Sequence, residues 1–455
     1  MSHLLVAVGG TGQHIALAVA RLIRLGALPG EKFEAFVIDS DDTSALAKRL
    51  KTFRKDGVSS VPVVGHPLTD GDQIHAPFAR SSQSATFQSL FVDHESPAVE
   101  KLLFEALFDA EAADKDLAKG MYARPSVGAT VFARSCEASG GDAVMTDLKT
   151  KLKTATEVTV FGSFIGGTGA GITHQLVGQL ETAAAGVDRR GIFLLPWLSV
   201  GKAGVDVDDN VLDGNMRHGL EYFFTHTAAR LTSSLLLGVP DEPPAWLGHV
   251  RPTQDNSDEH PHMLHAVAAR AVLDLGVKDV SNKEAGQVFG YGFPEAQQGH
   301  LLELEWHASR TLREHAHAAQ FTRVLLEFLS RPAFLETIEK AFSLFSLVSK
   351  DALTPALYDT IKGHAKAARV EPKQFAGEMA ACWDESKAQL ELSLEWLVQL
   401  MGSVDEPPGV REAQRSPLET LRKCWTTGLQ PDGNKARTAA DVAKLLEGQI
   451  RAAFT

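Results

Sequence analysis

Glycine is concentrated at two places in this chain where it can do chemistry. Residues 160–172 read Val-Phe-Gly-Ser-Phe-Ile-Gly-Gly-Thr-Gly-Ala-Gly-Ile, an apolar run ending in Gly166, Gly167, Thr168, Gly169, Ala170 and Gly171. Residues 6–14 read Val-Ala-Val-Gly-Gly-Thr-Gly-Gln-His, a second apolar run ending in Gly9, Gly10, Thr11 and Gly12. Loops this poor in side chains leave backbone N–H groups able to surround an anion, and a following helix adds its positive N-terminal end. Each place predicts a phosphate cradle. Gly167 and Gly169 are expected to leave room for phosphate oxygens, so that a bulkier residue there weakens binding and spares the fold.

Several other chemistries are tested by spacing. Phe36-Val37-Ile38-Asp39 places an acid at the end of the next apolar run, as in a dinucleotide-binding unit, but the third glycine position holds Ile15. Neither loop ends in Gly-Lys-Ser or Gly-Lys-Thr, so an ordinary P-loop is excluded. No G-x-S-x-G elbow for a nucleophilic serine is present. Cys136, Cys382 and Cys424 lie far apart, which indicates neither a disulfide framework nor a zinc knuckle. His260, His262 and His265 have metal-like spacing without a carboxylate or cysteine in register and with Pro261 between them, so they read as a solvated loop. His315 and His317 point to different faces of a helix and are assigned no site.

The elements that must position the glycines follow from the hydrophobic pattern. Apolar runs over 3–8, 35–38, 158–162, 191–195 and 235–237 predict strands, and the stretches between them are helical, starting with residues 15–25. That alternation specifies an α/β fold, a parallel sheet with helices on both faces, whose loops converge at the carboxyl ends of the strands. Poor periodicity and Pro62, Pro67 and Pro77 mark residues 52–96 as an irregular insertion. A proline-rich break at 239–262 ends this region, and the rest is expected to be mostly α-helical, with apolar residues at helical spacing over 301–329 and 375–401. Ser416-Pro417-Leu418-Glu419 and Thr438-Ala439-Ala440-Asp441 read as late helix starts, and Gly402 to Arg415 as a linker. The predicted organisation is a nucleotide-binding domain over 1–240, a linker and central helix over 241–280, and a helical domain over 281–455.

Composition narrows the class. The 455 residues are 44% hydrophobic and 22% charged, ordinary for a globular protein of two or three domains. The net charge of −12 argues against nonspecific nucleic-acid binding. No basic n-region precedes the apolar N-terminus and no run approaches a membrane span, so no signal peptide or transmembrane helix is expected and the location reads as cytoplasmic.

The glycine run Gly166-Gly167-Thr168-Gly169-Ala170-Gly171 resembles the signature loop of the tubulin and FtsZ superfamily, with one glycine fewer at its front. Val8-Gly9-Gly10-Thr11-Gly12-Gln13-His14 is similar to the first nucleotide loop of that family, with His14 where asparagine is usual. Asp41-Asp42-Thr43-Ser44-Ala45-Leu46 resembles the second loop, and Ala123-Arg124-Pro125-Ser126-Val127-Gly128 the third, keeping Pro125 and Gly128. Leu194-Leu195-Pro196 falls where the family has its sugar-binding loop, followed by Asn210 and Asn215.

The resemblance implies a divergent bacterial tubulin-like protein that binds GTP or GDP, with Mg2+ as a companion ion. It implies a role for one of Asp39, Asp41 and Asp42 near the metal or phosphate, the alternative being caps of the helix that starts near Thr43, and roles for Asn210 and Asn215 at the sugar or base, the alternative being solvated loop and helix-cap positions. Guanine would be read by the amides of Gln13 and Asn215, since an amide presents a donor and an acceptor together. Asp274 and Asp279 stand about where the family's acidic loop reaches the next subunit, without its asparagine-aspartate pattern. The implied activity is GTP hydrolysis at a head-to-tail interface within filaments. The alternatives are a non-polymerising nucleotide-binding scaffold that meets partner proteins through its helical half, and a Rossmann-type oxidoreductase.

Overall fold

The structure, a computed structural model, describes residues 2–24, 33–39, 46, 86–91, 96–114, 117, 121, 123–137, 143–183, 186–197, 209–238, 262–277, 286–292, 301–303, 363, 366, 369–371, 374 and 396. The chain divides into two compact units. The first takes Met1–Leu22, Leu28–Arg54 and Val61–Ala308, and the second takes Ile23–Ala27, Lys55–Ser60 and Ser309–Thr455. The predicted late helices and linker lie outside the described residues, apart from isolated positions such as Trp396, which is buried.

The first unit is built on a seven-stranded sheet in which every pairing is parallel. Its strands are β1 (Ser2–Val8), β2 (Phe33–Ile38), β3 (Ala155–Ser163), β4 (Asp188–Leu194), β5 (Ser233–Leu237), β6 (Gln287–Gly292) and β7 (Leu301–Glu303), in the order β2-β1-β3-β4-β5-β6-β7. β1 is a central strand, and Leu4, Leu5, Val6, Ala7 and Val8 are all buried, as a continuous apolar run covered on both faces requires. Each such leucine or valine contributes about 1.5–3 kcal/mol of transfer free energy. The α-helices among the described residues are α1 (Gly9–Arg24), α2 (Ala98–Leu107), α3 (Ala110–Ala113), α4 (Pro125–Glu137), α5 (Ala143–Leu152), α6 (Gly167–Ala183), α7 (Asp209–Tyr222) and α8 (Met263–Val277).

One core joins the sheet to α4, α5 and α6 through Val6, Phe36, Phe132, Leu148, Val160 and Leu176. A smaller aromatic cluster of Phe87, Phe91, Phe104 and Phe108 lies under α2 and α3.

Two expectations change here. β6 and β7 extend the parallel sheet past residue 280, into the part that the sequence assigned to a helical domain, and Leu301 opens a strand rather than a helix. Gln287-Val288-Phe289-Gly290-Tyr291-Gly292 is too short to declare a period, and the three residues of β7 satisfy either one. Both glycine runs also enter their helices at once. α1 starts at Gly9 rather than at residue 15, and α6 starts at Gly167 inside the predicted loop.

The strand order contains a reversal. The chain leaves β1 on one side to form β2, then crosses back to form β3 on the other side. Open parallel sheets bind ligands outside the carboxyl ends of the strands at such a switch point. The strands that meet at it, β1 and β3, are the two that lead into glycine runs.

A candidate anion cradle at the sheet switch point

In-register pairing carries β1 and β3 to the same edge, with Ala7 beside Phe161. The two glycine runs then touch. Gly9 sits at φ +68°, a conformation that favours glycine, and a Cβ there would lie 3.1 Å from the Gly169 amide nitrogen and 3.3 Å from Thr168 Cβ. The N-termini of α1 and α6 therefore converge, and neither helix carries an acidic residue in its first turn to offset the positive end. Such a pair of helix starts favours a bound anion.

The glycines divide into two kinds. Gly10 is exposed, and a Cβ on it would meet none of the described residues within 4 Å; at Gly166 the nearest described atom is Ser163 Oγ at 4.0 Å. These two border open space where a ligand can approach the backbone. The others are occupied by the protein itself. A Cβ on Gly12 would lie 2.8 Å from the Ala7 carbonyl carbon, one on Gly128 2.4 Å from the Gly167 oxygen, and one on Gly171 2.4 Å from the Pro125 oxygen. Gly167 is closed in by Met121 and Arg124, and Gly169 by Ser163 at 2.9 Å. This corrects the expectation for Gly167 and Gly169: a side chain there runs into the chain, not into phosphate space. Gly12 also supplies the close helix–strand approach for which the sequence offered no third glycine.

The loop over 123–128 packs against the glycine run of 166–171. Pro125 begins α4, where a missing N–H costs nothing, and α4 packs along α6 through Gly128 and Gly171. Ala123 precedes it at φ 56°, and its carbonyl accepts from Asn215 Nδ2 at 2.7 Å. The same nitrogen donates to the Ile165 carbonyl at 3.2 Å. Asn215 thus ties α7 to both loops, and its amide donors are spent on backbone instead of on a base. Gln13 is likewise not presented to a ligand: it is 1% exposed and its Nε2 donates to Asp39 Oδ2, itself buried. The Gln13–Asp39 pair pins the end of β2 to α1. Thr168 is buried at the start of α6, Ala170 is buried within it, and Asn210 is exposed on α7. Asp42 and Asp279 lie outside the described residues, and Asp274 falls in the last turn of α8.

Beside the first glycine run lies a cluster that the sequence did not disclose. Trp197, three residues past the end of β4, is 1% exposed and donates its Nε1–H to Thr11 Oγ1 at 3.1 Å. His14 stacks on His265 with ring centroids 4.5 Å apart and an interplanar angle of 11°, and both rings stand edge-on to Trp197. His262 and His265 are each 1% exposed, so the solvated loop expected of them is wrong at both positions. Burial, reinforced by His14, His262 and Arg21, holds the His265 ring well below its usual pKa and therefore neutral. A tryptophan next to Leu194-Leu195-Pro196 was the available signal; the partners are distant in sequence. Stacked rings do not converge on an ion, and among the described residues no group of three or more His, Cys, Asp or Glu could hold a metal.

No family model matches the chain, and no curated protein matches it. Among solved structures it is similar to CetZ2 from Haloferax volcanii, determined as a GTPγS-bound protofilament, at 14% identity and a TM-score of 0.34. The match covers 63% of this chain and 64% of that one.

Proposed function

We propose that the first unit binds a guanine nucleotide at the switch point, with its phosphates over Gly10 and Gly166 and between the N-termini of α1 and α6. The observation that carries the reading is the convergence of two glycine-started helices at the carboxyl ends of adjacent strands, with open space at those two glycines and no acid in either first turn. Guanine rests on the resemblance of five loop sequences to the tubulin and FtsZ superfamily. The residues present fit a phosphate chain held by backbone amides. Among the described residues Asp39 is buried and accepts from Gln13, which leaves Asp42 as the candidate for a Mg2+ that would be held mainly by the phosphates.

Gly10→Asp tests the cradle. Its side chain enters open space, so the melting temperature stays that of the parent, while a carboxylate over the phosphates lowers GTP affinity by at least about tenfold, or 1.4 kcal/mol. Unchanged affinity in a calorimetric titration removes phosphate from this edge, and displacement of labelled GTP by equal ATP or NAD removes guanine.

The proposal extends to turnover by self-association. Phosphoryl transfer needs the attacking water to be oriented. A second copy would supply that orientation through Asp274 or Asp279. Specific GTPase activity is then expected to rise with protein concentration, and Asp279→Ala to bind GTP normally and turn it over slowly. Activity per molecule that is flat from nanomolar to tens of micromolar protein rules out the shared site; tight binding without turnover favours a nucleotide-binding scaffold.

A further inference from the structure

Thr11 is half-buried in the first turn of α1, between open Gly10 and packed Gly12. A hydroxyl has one proton to give and two lone pairs, whereas an indole N–H only donates. The Trp197 bond at 3.1 Å therefore fills an acceptor position of Thr11 Oγ1, and the hydroxyl's own proton finds no acceptor among the described residues. Trp197 cannot easily give up this role, because its ring is buried and boxed by His14, His262 and His265 at centroid distances of 5.3, 5.9 and 4.3 Å.

We infer that Trp197 is a positioning residue that turns the Thr11 hydroxyl into a donor aimed at an oxygen of the bound phosphate chain. The inference rests on the nucleotide reading above and adds to it a side-chain donor that acts beside the backbone amides. Trp197 itself touches no ligand. By accepting nothing and donating to Thr11, it leaves the threonine proton for an incoming anion, the arrangement in which a hydrogen bond to charge is strongest. The His14–His265 stack holds the indole in place, so the orientation is set before the ligand arrives.

Trp197→Phe keeps most of the ring and drops the N–H; Thr11→Val keeps the shape and drops the hydroxyl. With GTP as the calorimetric probe, Thr11→Val is expected to weaken binding about tenfold and Trp197→Phe about three- to tenfold, values appropriate to one charge-assisted bond and to its orientation. The double variant should bind like Thr11→Val alone, and Thr11→Ser like the parent. A purely structural Trp197 gives a different result: its loss weakens binding by the same factor whether or not the hydroxyl is present. That additivity, or unchanged affinity in Trp197→Phe, overturns the inference while leaving nucleotide binding intact. A parent protein that binds no GTP overturns the nucleotide reading itself and this inference with it. Melting curves on all four variants separate unfolding from lost affinity, and Thr11→Val, which leaves the indole cluster in place, keeps the test decisive where Trp197→Phe unfolds.

Discussion

Gly171→Ala is expected to cost the first unit about 3 kcal/mol or more of stability, while Gly10→Ala, in the same set of loops, leaves it within about 0.5 kcal/mol. A single methyl on Gly171 would lie 2.4 Å from the Pro125 oxygen, 2.7 Å from the Ala129 nitrogen and 3.0 Å from the Gly128 carbonyl carbon. All three are backbone atoms of α4, so no side chain can rotate away. The helices must separate, and α4 and α6 share the core residues Phe132, Ile172 and Leu176 that separation would loosen. A methyl on Gly10 meets none of the described residues within 4 Å. Urea unfolding of the two variants, followed by circular dichroism, reads the difference. Equal stabilities would mean that α4 and α6 do not approach as closely as described, and the glycines would then need a ligand to account for them.

That contrast marks how far the sequence could be read. The five strands over 3–8, 35–38, 158–162, 191–195 and 235–237 were legible because buried parallel strands are unbroken apolar runs, and all five are present, each starting one to three residues earlier and ending within one residue of the expected bound. The glycine runs were legible as places of close approach. What approaches was not: glycine reports that a Cβ has no room, and Gly10 and Gly171 look alike until the neighbours are known. Asn215 and Gln13 failed for a related reason, since an amide suited to a base is equally suited to backbone carbonyls or a carboxylate. His262 and His265 were misread because their neighbours, Trp197 and His14, come from other segments, and their own surroundings of prolines and acids look like surface. β6 and β7 were missed because short strands at a sheet edge carry too few residues to show a period.

Acid is expected to unfold the first unit well above the pH range of its carboxylates, because it buries three histidines as neutral rings. Burial lowers the His174 pKa to about 4, and burial with the nearby Arg190 guanidinium lowers His3 to about 4 against a smaller opposing effect of Asp188; His265 is held well below its usual value. The unfolded chain takes up protons on these groups from about pH 6.5 downward, and the folded one does not. Protons therefore favour the unfolded state: stability is complete above pH 6.5 and falls by about 1.4 kcal/mol per pH unit for each histidine. For His3 and His174 the loss ends near pH 4, while for His265 it continues below that. By pH 5 the combined loss reaches about 6 kcal/mol, close to the whole stability of many domains. Acidification also relieves the repulsion of a chain at −12, which acts in the opposite direction but is spread over a solvated surface. His174 offers the cleanest control. Its Nδ1 meets Thr227 Oγ1 at 2.9 Å and its ring lies parallel to Phe164, so Phe at this position keeps the stacking and removes the titration. His174→Phe should flatten the stability profile between pH 6.5 and 4 by about 1.4 kcal/mol per unit. Urea midpoints that do not move between pH 7.5 and 5.5 in the parent would show that these rings are protonated in the folded protein and that their burial is less complete than described.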